Sequence, residues 1–457
     1  MGKKDTAGKV NPVRNLAVQL VHEVTEDKAF ANLALNKALR HSGLSTADRS
    51  LLTELVNGTV RMLKHLDWVL NLFLRQELAR QNPWLRAILR VSAYQILFMD
   101  RIPHFALVND AVEITRRRCN DGLAKVANAV LRNLIRQRNS IKYPPADSRE
   151  YLAVYYSHPR ELVNYMLENF TREETVRILS YNNRPARLDL RVNRLKIGRD
   201  LLLRELEEEN LAGQASPNLP WSIRIESLKR PLEELPAYKK GYFYVQNEAA
   251  MLAAIILNPQ PGETIFDLCC GVGGKTTHLG ELMGNTGLIR AYDSYPRKIN
   301  ILKGNCTRLG IDIVEAQAGD INFIDPGVKG QKILLDAPCS GTGVLNRRAD
   351  SRWNKDRCRM ETLNQMQYAL LTRAADWLNP GGHLLYSTCS IRREENEELI
   401  GAFLKQNDKF VLEGFSPQLA FFPLDDLDKK KAVQGMLTLL PGKYDNDGMF
   451  YALLRRK

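Results

Sequence analysis

From residue 241 to the C-terminus, short apolar runs alternate with helical patterns, and this alternation restricts the fold more than any other feature of the chain. Residues 264–268, 288–292, 332–335 and 383–386 read as buried strands. Helical spacing fills the gaps between strands, clearest over 361–377 and 394–404. Parallel strands need long crossovers, and helices supply them, so the pattern predicts a parallel, doubly wound, Rossmann-like α/β sheet. Ligands of such sheets bind beyond the carboxyl ends of the strands. The chemistry should therefore lie just after each apolar run.

The rest of the chain is built differently. From 13 to 138 apolar residues recur at helical spacing: Leu16, Leu20 and Val24; Leu51, Leu55 and Val56; Leu66, Val69, Leu70 and Phe73; Leu85, Ile88, Leu89 and Ser92. Ser45-Thr-Ala-Asp48 and Asp110 have the chemistry of helix starts. Tyr143-Pro-Pro-Ala-Asp-Ser148 reads as a linker. A smaller mixed segment follows, with a strand at 188–192 and a helix at 198–210, and Pro217, Pro220, Pro231 and Pro236 close it. The expected organisation is multidomain: an all-α domain over 1–145, a small α/β (RRM-like) subdomain over 146–236, and the Rossmann-like domain over 237–457.

Charge distinguishes these parts. The formal net charge is +13, and residues 1–150 carry +10 of it, from 24 Lys and Arg against 14 Asp and Glu. Arg116-Arg117-Arg118 and the group Arg132, Arg136, Arg138 and Lys142 concentrate it. Such an excess suits a surface that meets phosphates, although a solvated helix face looks the same. Seven cysteines without a C-x-x-C pair argue against a disulfide scaffold and a structural zinc site. No apolar run approaches bilayer-spanning length, and the cytoplasm is the expected location. Gly2 and Thr6 match a loose myristoylation pattern that is too short to weigh.

The loop Asp267-Leu-Cys-Cys-Gly-Val-Gly-Gly-Lys-Thr276 follows the first strand of the C-terminal sheet. It is not a P-loop, because Cys269 stands where the first glycine is needed. It is not a dinucleotide fingerprint, because Thr276 stands where the third glycine is needed. Asp293 ends the second strand, where a carboxylate accepts from ribose hydroxyls. Asp320 lies where the third should end, within reach of an adenine amino group. An Asp at a strand end is often only a helix cap. Together the three positions favour an adenosine-containing ligand that needs no phosphate cradle, and S-adenosylmethionine fits that description.

Two segments carry cysteine to strand ends: Asp336-Ala-Pro-Cys-Ser-Gly-Thr-Gly343 and Tyr386-Ser-Thr-Cys-Ser390. Carbon 5 of cytosine is a poor nucleophile. A thiolate that adds to carbon 6 makes the ring an enamine, and carbon 5 can then take a methyl group. An unperturbed thiol is only about 3% thiolate at neutral pH, so the site must help. Asp336 could hold the base through N3 and N4. Cys339 or Cys389 alone would pass as a packing residue. Two on adjacent strand ends point to this chemistry, without showing which one attacks. The vicinal Cys269-Cys270 reads as structural or as a backbone contact.

These two motifs resemble the signatures of RNA cytosine-C5 methyltransferases. Gly241, Gln246-Asn-Glu248, Asp350 with Trp353, and Asp447-Gly448-Met-Phe450 are also similar to family motifs. With the helical N-terminal part, the chain resembles the bacterial Sun/Fmu group across nearly its whole length. The resemblance implies a NusB-like, RNA-binding N-terminal domain and methylation of 16S rRNA, at cytosine 967, before subunit assembly. It implies Cys389 as nucleophile and Cys339 as the residue that aids product release, as a proton acceptor. It implies S-adenosylmethionine bound by Cys269, Cys270, Gly271, Val272, Gly273, Gly274, Lys275, Asp293, Asp320 and Asp336, with no metal. A monomer acting on RNA, with neither DNA nor membrane as partner, is expected. The chain departs from the pattern at Cys270-Gly271-Val272, where the family usually has Ala-Ala-Pro, and at Asn346, where arginine is common. Competing readings are the same chemistry on tRNA and a non-catalytic assembly or antitermination factor. DNA cytosine methyltransferases use the proline-cysteine motif as nucleophile and lack the second cysteine motif.

Overall fold

The computed structural model describes residues 10–457 except 101, 227, 229 and 354–356. The Gly2/Thr6 pattern lies outside the described residues. The chain divides into two compact units. The first runs to Arg184 and takes in Leu345–Asn354; the second comprises Pro185–Val344 and Lys355–Lys457.

The first unit is helical. Pro12–Thr25, Thr46–Arg61, Pro83–Phe98, His104–Arg118 and Asp121–Gln137 are its longer helices. Their apolar stripes converge on one core that includes Val21, Leu52, Leu55, Leu66, Ile88 and Leu131. Asn11 and Asn82 each cap a helix that opens with proline, accepting from Val13 N and Trp84 N at 2.9 Å. Ser45 caps Thr46–Arg61 as its sequence predicts. Asp110 does not start a helix. It lies inside His104–Arg118, where its carboxylate accepts from Arg14 and from Asn11 N. The segment 143–148 is packed rather than free, because the Tyr143 hydroxyl meets the His65 ring at 3.1 Å and Arg172 donates to Ala146 O. Three more helices, Arg149–Tyr155, Arg160–Asn169 and Arg172–Asn182, follow it.

Residues 345–354, far away in sequence, complete this unit. Arg352 is fully buried and donates to the backbone oxygens of Ser157 and Asn182 and to Asn183 Oδ1, at 2.8–3.1 Å. Trp353 Nε1 donates to Val60 O at 2.8 Å. Asp350 Oδ2 accepts from Ala31 N.

In the second unit, β1 (Leu188–Val192), β2 (Gly213–Ala215), β3 (Ser222–Ile225) and β4 (Phe243–Val245) form an antiparallel sheet in the order β2-β3-β1-β4. The helix Arg199–Glu208 packs Leu202 and Leu206 into the same apolar cluster as Leu190, Val192 and Ile223. The larger sheet contains β5 (Thr264–Leu268), β6 (Leu288–Asp293), β7 (Val314–Ala318), β8 (Gly330–Asp336), β9 (Leu378–Thr388), β10 (Phe410–Leu412), β11 (Met436–Leu439) and β12 (Met449–Arg456). Its order is β10-β12-β9-β8-β5-β6-β7, with β11 also paired to β12. Strands β9, β8, β5, β6 and β7 are parallel, as the alternation predicts. β12 returns antiparallel beside β9, so the sheet is mixed rather than purely parallel. Among the described residues no helix is long and apolar enough to cross a membrane.

Candidate active site

The loop after β5 is shaped by left-handed backbone. Cys269, Gly271 and Gly273 have φ of 70°, 60° and 90°. A Cβ on Gly273 would stand 2.1 Å from Leu302 Cδ1, so the loop needs glycine there for conformation and for space. Helix Gly274–Leu282 begins at this point, with Gly273 as its N-cap residue and no side-chain cap. The Cys270 amide donates to Tyr292 O at 2.8 Å. Burial, reinforced by nearby Asp293, Asp336 and Asp267, pushes the Cys269 thiol up to about 12, and burial raises Cys270 as well. Neither is a ready nucleophile.

Asp293 is nearly buried at the end of β6. It accepts from Gly271 N at 3.0 Å, Tyr295 N at 2.9 Å and Lys298 Nζ at 3.0 Å. It thus ties the loop to the next strand. Asp320 lies two residues beyond β7, and its Oδ1 takes both the Asn322 amide and the Asn322 side chain at 2.9 Å. That is turn-capping geometry, with Oδ2 on its other side. Asp267 was not singled out from sequence. It is fully buried and accepts from Thr276 through Oδ2 at 2.6 Å, while Oδ1 has no protein partner. Burial raises its carboxyl to about 7. A buried carboxylate oxygen without a donor, beside a glycine-lined loop, suits a ligand bearing an ammonium group. The donor set fits S-adenosylmethionine.

Underneath the loop, Arg191 of β1 is fully buried. It pairs with Glu281 at 2.8 Å and donates to Gly274 O at 2.6 Å and Thr277 Oγ1 at 2.9 Å. Its remaining partner is Gln246, so that motif residue supports the loop. Glu248 is similarly enclosed, accepting from Arg224 at 2.8 Å and Ser222 at 3.2 Å. Gly241 meets a different need: a Cβ there would be 1.9 Å from Arg308 O.

The two cysteine motifs end neighbouring strands, because β8 pairs with β9 in register Asp336 to Ser387. Asp336 accepts from Ser387 Oγ at 2.9 Å and forms an ion pair with Lys275 at 2.6 Å. Burial alone would lower the Lys275 pKa, but this ion pair more than offsets it and holds the ammonium above its ordinary value. The sulfurs of Cys339 and Cys389 stand 3.4 Å apart, both partly buried. The hydrogen bond with Cys389, then burial, raises the Cys339 thiol well above its usual value, and either sulfur can donate to the other. Gly343 closes the arrangement. Its amide donates to Cys389 O at 2.9 Å, and its carbonyl accepts from Gly448 N at 2.8 Å. A Cβ on Gly343 would be 2.4 Å from Gly448 O, and one on Gly448 would be 2.8 Å from Gly343 Cα, which explains glycine at both positions.

The structure therefore brings together Asp336, Cys339, Cys389 and Lys275. The cofactor-loop residues and Asp293 join through the loop, and Asp320 is placed at the next strand end. Asp350, Trp353 and Asn346 belong to the first unit instead. Besides Asp267, sequence reading passed over Glu395, whose partners appear only in three dimensions.

A NusB-like helical domain, a ferredoxin-like domain and a mixed-sheet methyltransferase domain with paired cysteines define the class as a ribosomal RNA methyltransferase architecture. Comparison with known proteins agrees segment by segment. Residues 11–136 match the NusB family, 158–230 the ferredoxin-like domain of RsmF/B-like methyltransferases, and 254–455 the 16S rRNA methyltransferase RsmB/F family. The probable ribosomal RNA small subunit methyltransferase B of Synechocystis is 35% identical, covering 97% of this chain and 99% of its own. Its counterpart from Bacillus subtilis is 31% identical over 98% and 100%. The crystal structure of PH0851 superposes with a TM-score of 0.79 at 28% identity, covering 98% of this chain and all of that one. NSun6 from Pyrococcus horikoshii, with SFG, gives 0.58 at 26% identity over 65% and 98%. The chain belongs to the ribosomal RNA small subunit methyltransferase B family.

Proposed function

We propose that this chain methylates carbon 5 of a cytosine in 16S rRNA, cytosine 967 by family resemblance, through a covalent bond between Cys389 and carbon 6. The observation that carries the reading is the pair of sulfurs 3.4 Å apart at the ends of β8 and β9, beside the Asp336–Lys275 ion pair. S-adenosylmethionine, when bound, supplies an electrophilic methyl group. The loop 269–275 with Asp293, Asp320, Asp336 and Asp267 would hold it.

Cys389 adds as thiolate to carbon 6, and its sulfur–carbon bond makes carbon 5 an enamine carbon. Cys339 Sγ, 3.4 Å from Cys389 Sγ, is close enough to exchange a hydrogen bond with that sulfur before attack and as it leaves. After methyl transfer the carbon 5 proton passes to Cys339 as thiolate, the carbon 5–carbon 6 double bond re-forms, and the Cys389 sulfur leaves carbon 6 as thiolate, the net proton going to solvent. The ion pair with Lys275 anchors Asp336, so that its carboxylate can accept from the N4 amino group of the base, and from N3 once that nitrogen is protonated. The target base must leave its stack to reach the sulfur. RNA would be held by the N-terminal segment of a monomer, before subunit assembly. The functional division 1–145, 146–236 and 237–457 assigns RNA binding to the first segment and transfer to the last.

Incubation with labelled S-adenosylmethionine and unmodified 16S RNA, followed by mapping of modified cytosines, tests the reading. No 5-methylcytosine would sink it. Cys389→Ala should abolish turnover, while Cys339→Ala should accumulate a covalent RNA adduct. An adduct in Cys389→Ala instead would exchange the two roles.

A further inference from the structure

Glu395 lies in the short turn Arg393–Glu395 after the second cysteine motif and is completely buried. Leaving a carboxylate without water costs several kcal/mol unless donors replace the water. Here four neutral donors do so. Ser340 N and Gln367 Nε2 donate to Oε1 at 2.7 and 3.1 Å. The Ser340 hydroxyl donates to Oε2 at 2.6 Å, and the Ser390 hydroxyl donates to the same oxygen. Four donors match the lone-pair capacity of an ionised carboxylate.

The placement of those donors matters more than their number. Ser340 directly follows Cys339, and Ser390 directly follows Cys389. The residue after each cysteine therefore converges on one oxygen of one side chain. The two hydroxyls also approach each other at 3.2 Å, and Thr342 Oγ1 is 3.0 Å from Ser390 Oγ. Gln367 extends the clamp by donating to Pro338 O at 2.8 Å, just before Cys339. The turn that carries Glu395 is fixed independently: Tyr386 Oη donates to Glu395 O at 2.8 Å, and Asn396 Nδ2 donates to Ser390 O at 2.9 Å. β-Sheet pairing ends at Asp336 and Ser387. Beyond it, this network joins the two cysteine loops beside the bonds from Gly343 N to Cys389 O and from Ile391 N to Thr342 Oγ1.

We propose that Glu395 is a positioning residue for the reaction: its buried carboxylate clasps the residue after each cysteine and so sets the separation of the two sulfurs. The proposal rests on reading Cys339 and Cys389 as the working pair. It does not need Glu395 to touch RNA or cofactor. A displacement of about 1 Å at a reacting atom can cost about a hundredfold in rate, so a clasp of this kind governs turnover while leaving cofactor binding alone.

The sulfur separation can be read without catalysis. Dibromobimane links two nearby thiols, each thiolate displacing one bromide. Its rate of joining Cys339 to Cys389 in the full-length protein, mapped by mass spectrometry, reports the spacing. Glu395→Ala should slow this link about tenfold or more and lower kcat by about a hundredfold, with the KM for S-adenosylmethionine within about twofold of wild type. Glu395→Gln keeps one oxygen acceptor and nearly the same shape, and should recover most of both losses. If Glu395→Ala does not yield folded protein, the Ser340→Ala/Ser390→Ala double variant decides on the same linking rate. A wild-type linking rate in folded Glu395→Ala, or in the Ser340→Ala/Ser390→Ala double variant, would overturn the proposal, whether or not the wild-type protein methylates RNA. A Glu395-dependent link in a protein that makes no 5-methylcytosine would uphold the clasp and count only against the methyltransferase reading.

Discussion

Gly273→Ala combines two separable costs, and the structure assigns each a cause. At φ of 90° any L side chain is strained, by about 1–2 kcal/mol. The new methyl group would also lie 2.1 Å from Leu302 Cδ1, an overpacking that costs about 1–3 kcal/mol after the leucine tip gives way. If the loop must keep its shape to bind S-adenosylmethionine, the combined cost of about 2–5 kcal/mol weakens affinity about 30-fold to several-thousand-fold. Leu302→Ala removes the offending tip and leaves Cβ at 3.4 Å, an ordinary van der Waals distance. The double variant should retain only the strain, a loss of about 5- to 30-fold. Isothermal titration calorimetry on wild type, both single variants and the double variant completes the cycle. Binding within about twofold of wild type in Gly273→Ala would refute the reasoning. So would a double variant no better than Gly273→Ala.

Other expectations follow from charge. Between about 3.8 and 7 folded Asp267 holds a proton that the unfolded chain has released, so its contribution to stability is lost as pH rises through that window. A bound ammonium group favours the ionised form, so affinity for S-adenosylmethionine should rise from pH 6 to 8 and flatten in Asp267→Asn. Calorimetry at several pH values checks this. A monofunctional alkylating agent at pH 8 should modify Cys339 faster in Cys389→Ala than in wild type, because the main cause of its raised pKa is gone. Glu281→Leu leaves Arg191 buried without its partner and should cost about 3–5 kcal/mol, visible as a lower unfolding temperature of the second unit. Neutralising the exposed Arg132, Arg136 and Arg138 should weaken RNA binding and make the salt slope shallower by about 0.7 for each phosphate that the protein no longer neutralises. An unchanged slope would remove these residues from the RNA surface.

The four strands read from apolar runs lie where periodicity put them, because strands buried on both faces leave an unbroken apolar signal. β12 escaped notice: Met449–Arg456 is just as buried at its start, but nothing local shows that it returns antiparallel beside β9. The cysteines were legible because cysteine beside proline, serine and glycine at a strand end is unusual. Glu395 was not, because a glutamate in Arg-Arg-Glu-Glu-Asn reads as solvated charge, and its burial follows only when the distant Ser340 loop and Gln367 fold onto it. Asp110 misled for the opposite reason. It has the chemistry of a cap, but Arg14 and the Asn11 amide claim it within a helix. Arg116 and Arg117 are shared with Glu113 and Asp121, so part of the basic excess near the N-terminus is already answered within the helices.

The helical unit is complete only when residues 345–354 are present. Until they arrive, Ser157 O, Asn182 O and Asn183 Oδ1 lack the Arg352 guanidinium that they accept from in the finished unit. During synthesis the first 184 residues must therefore wait for about 170 more before these three oxygens are matched. The same stretch of chain that finishes the helical unit separates β8 from β9 in the sheet. A freely expressed N-terminal fragment should be less stable than the same helices in the whole chain, and a peptide spanning 345–354 should restore part of the difference.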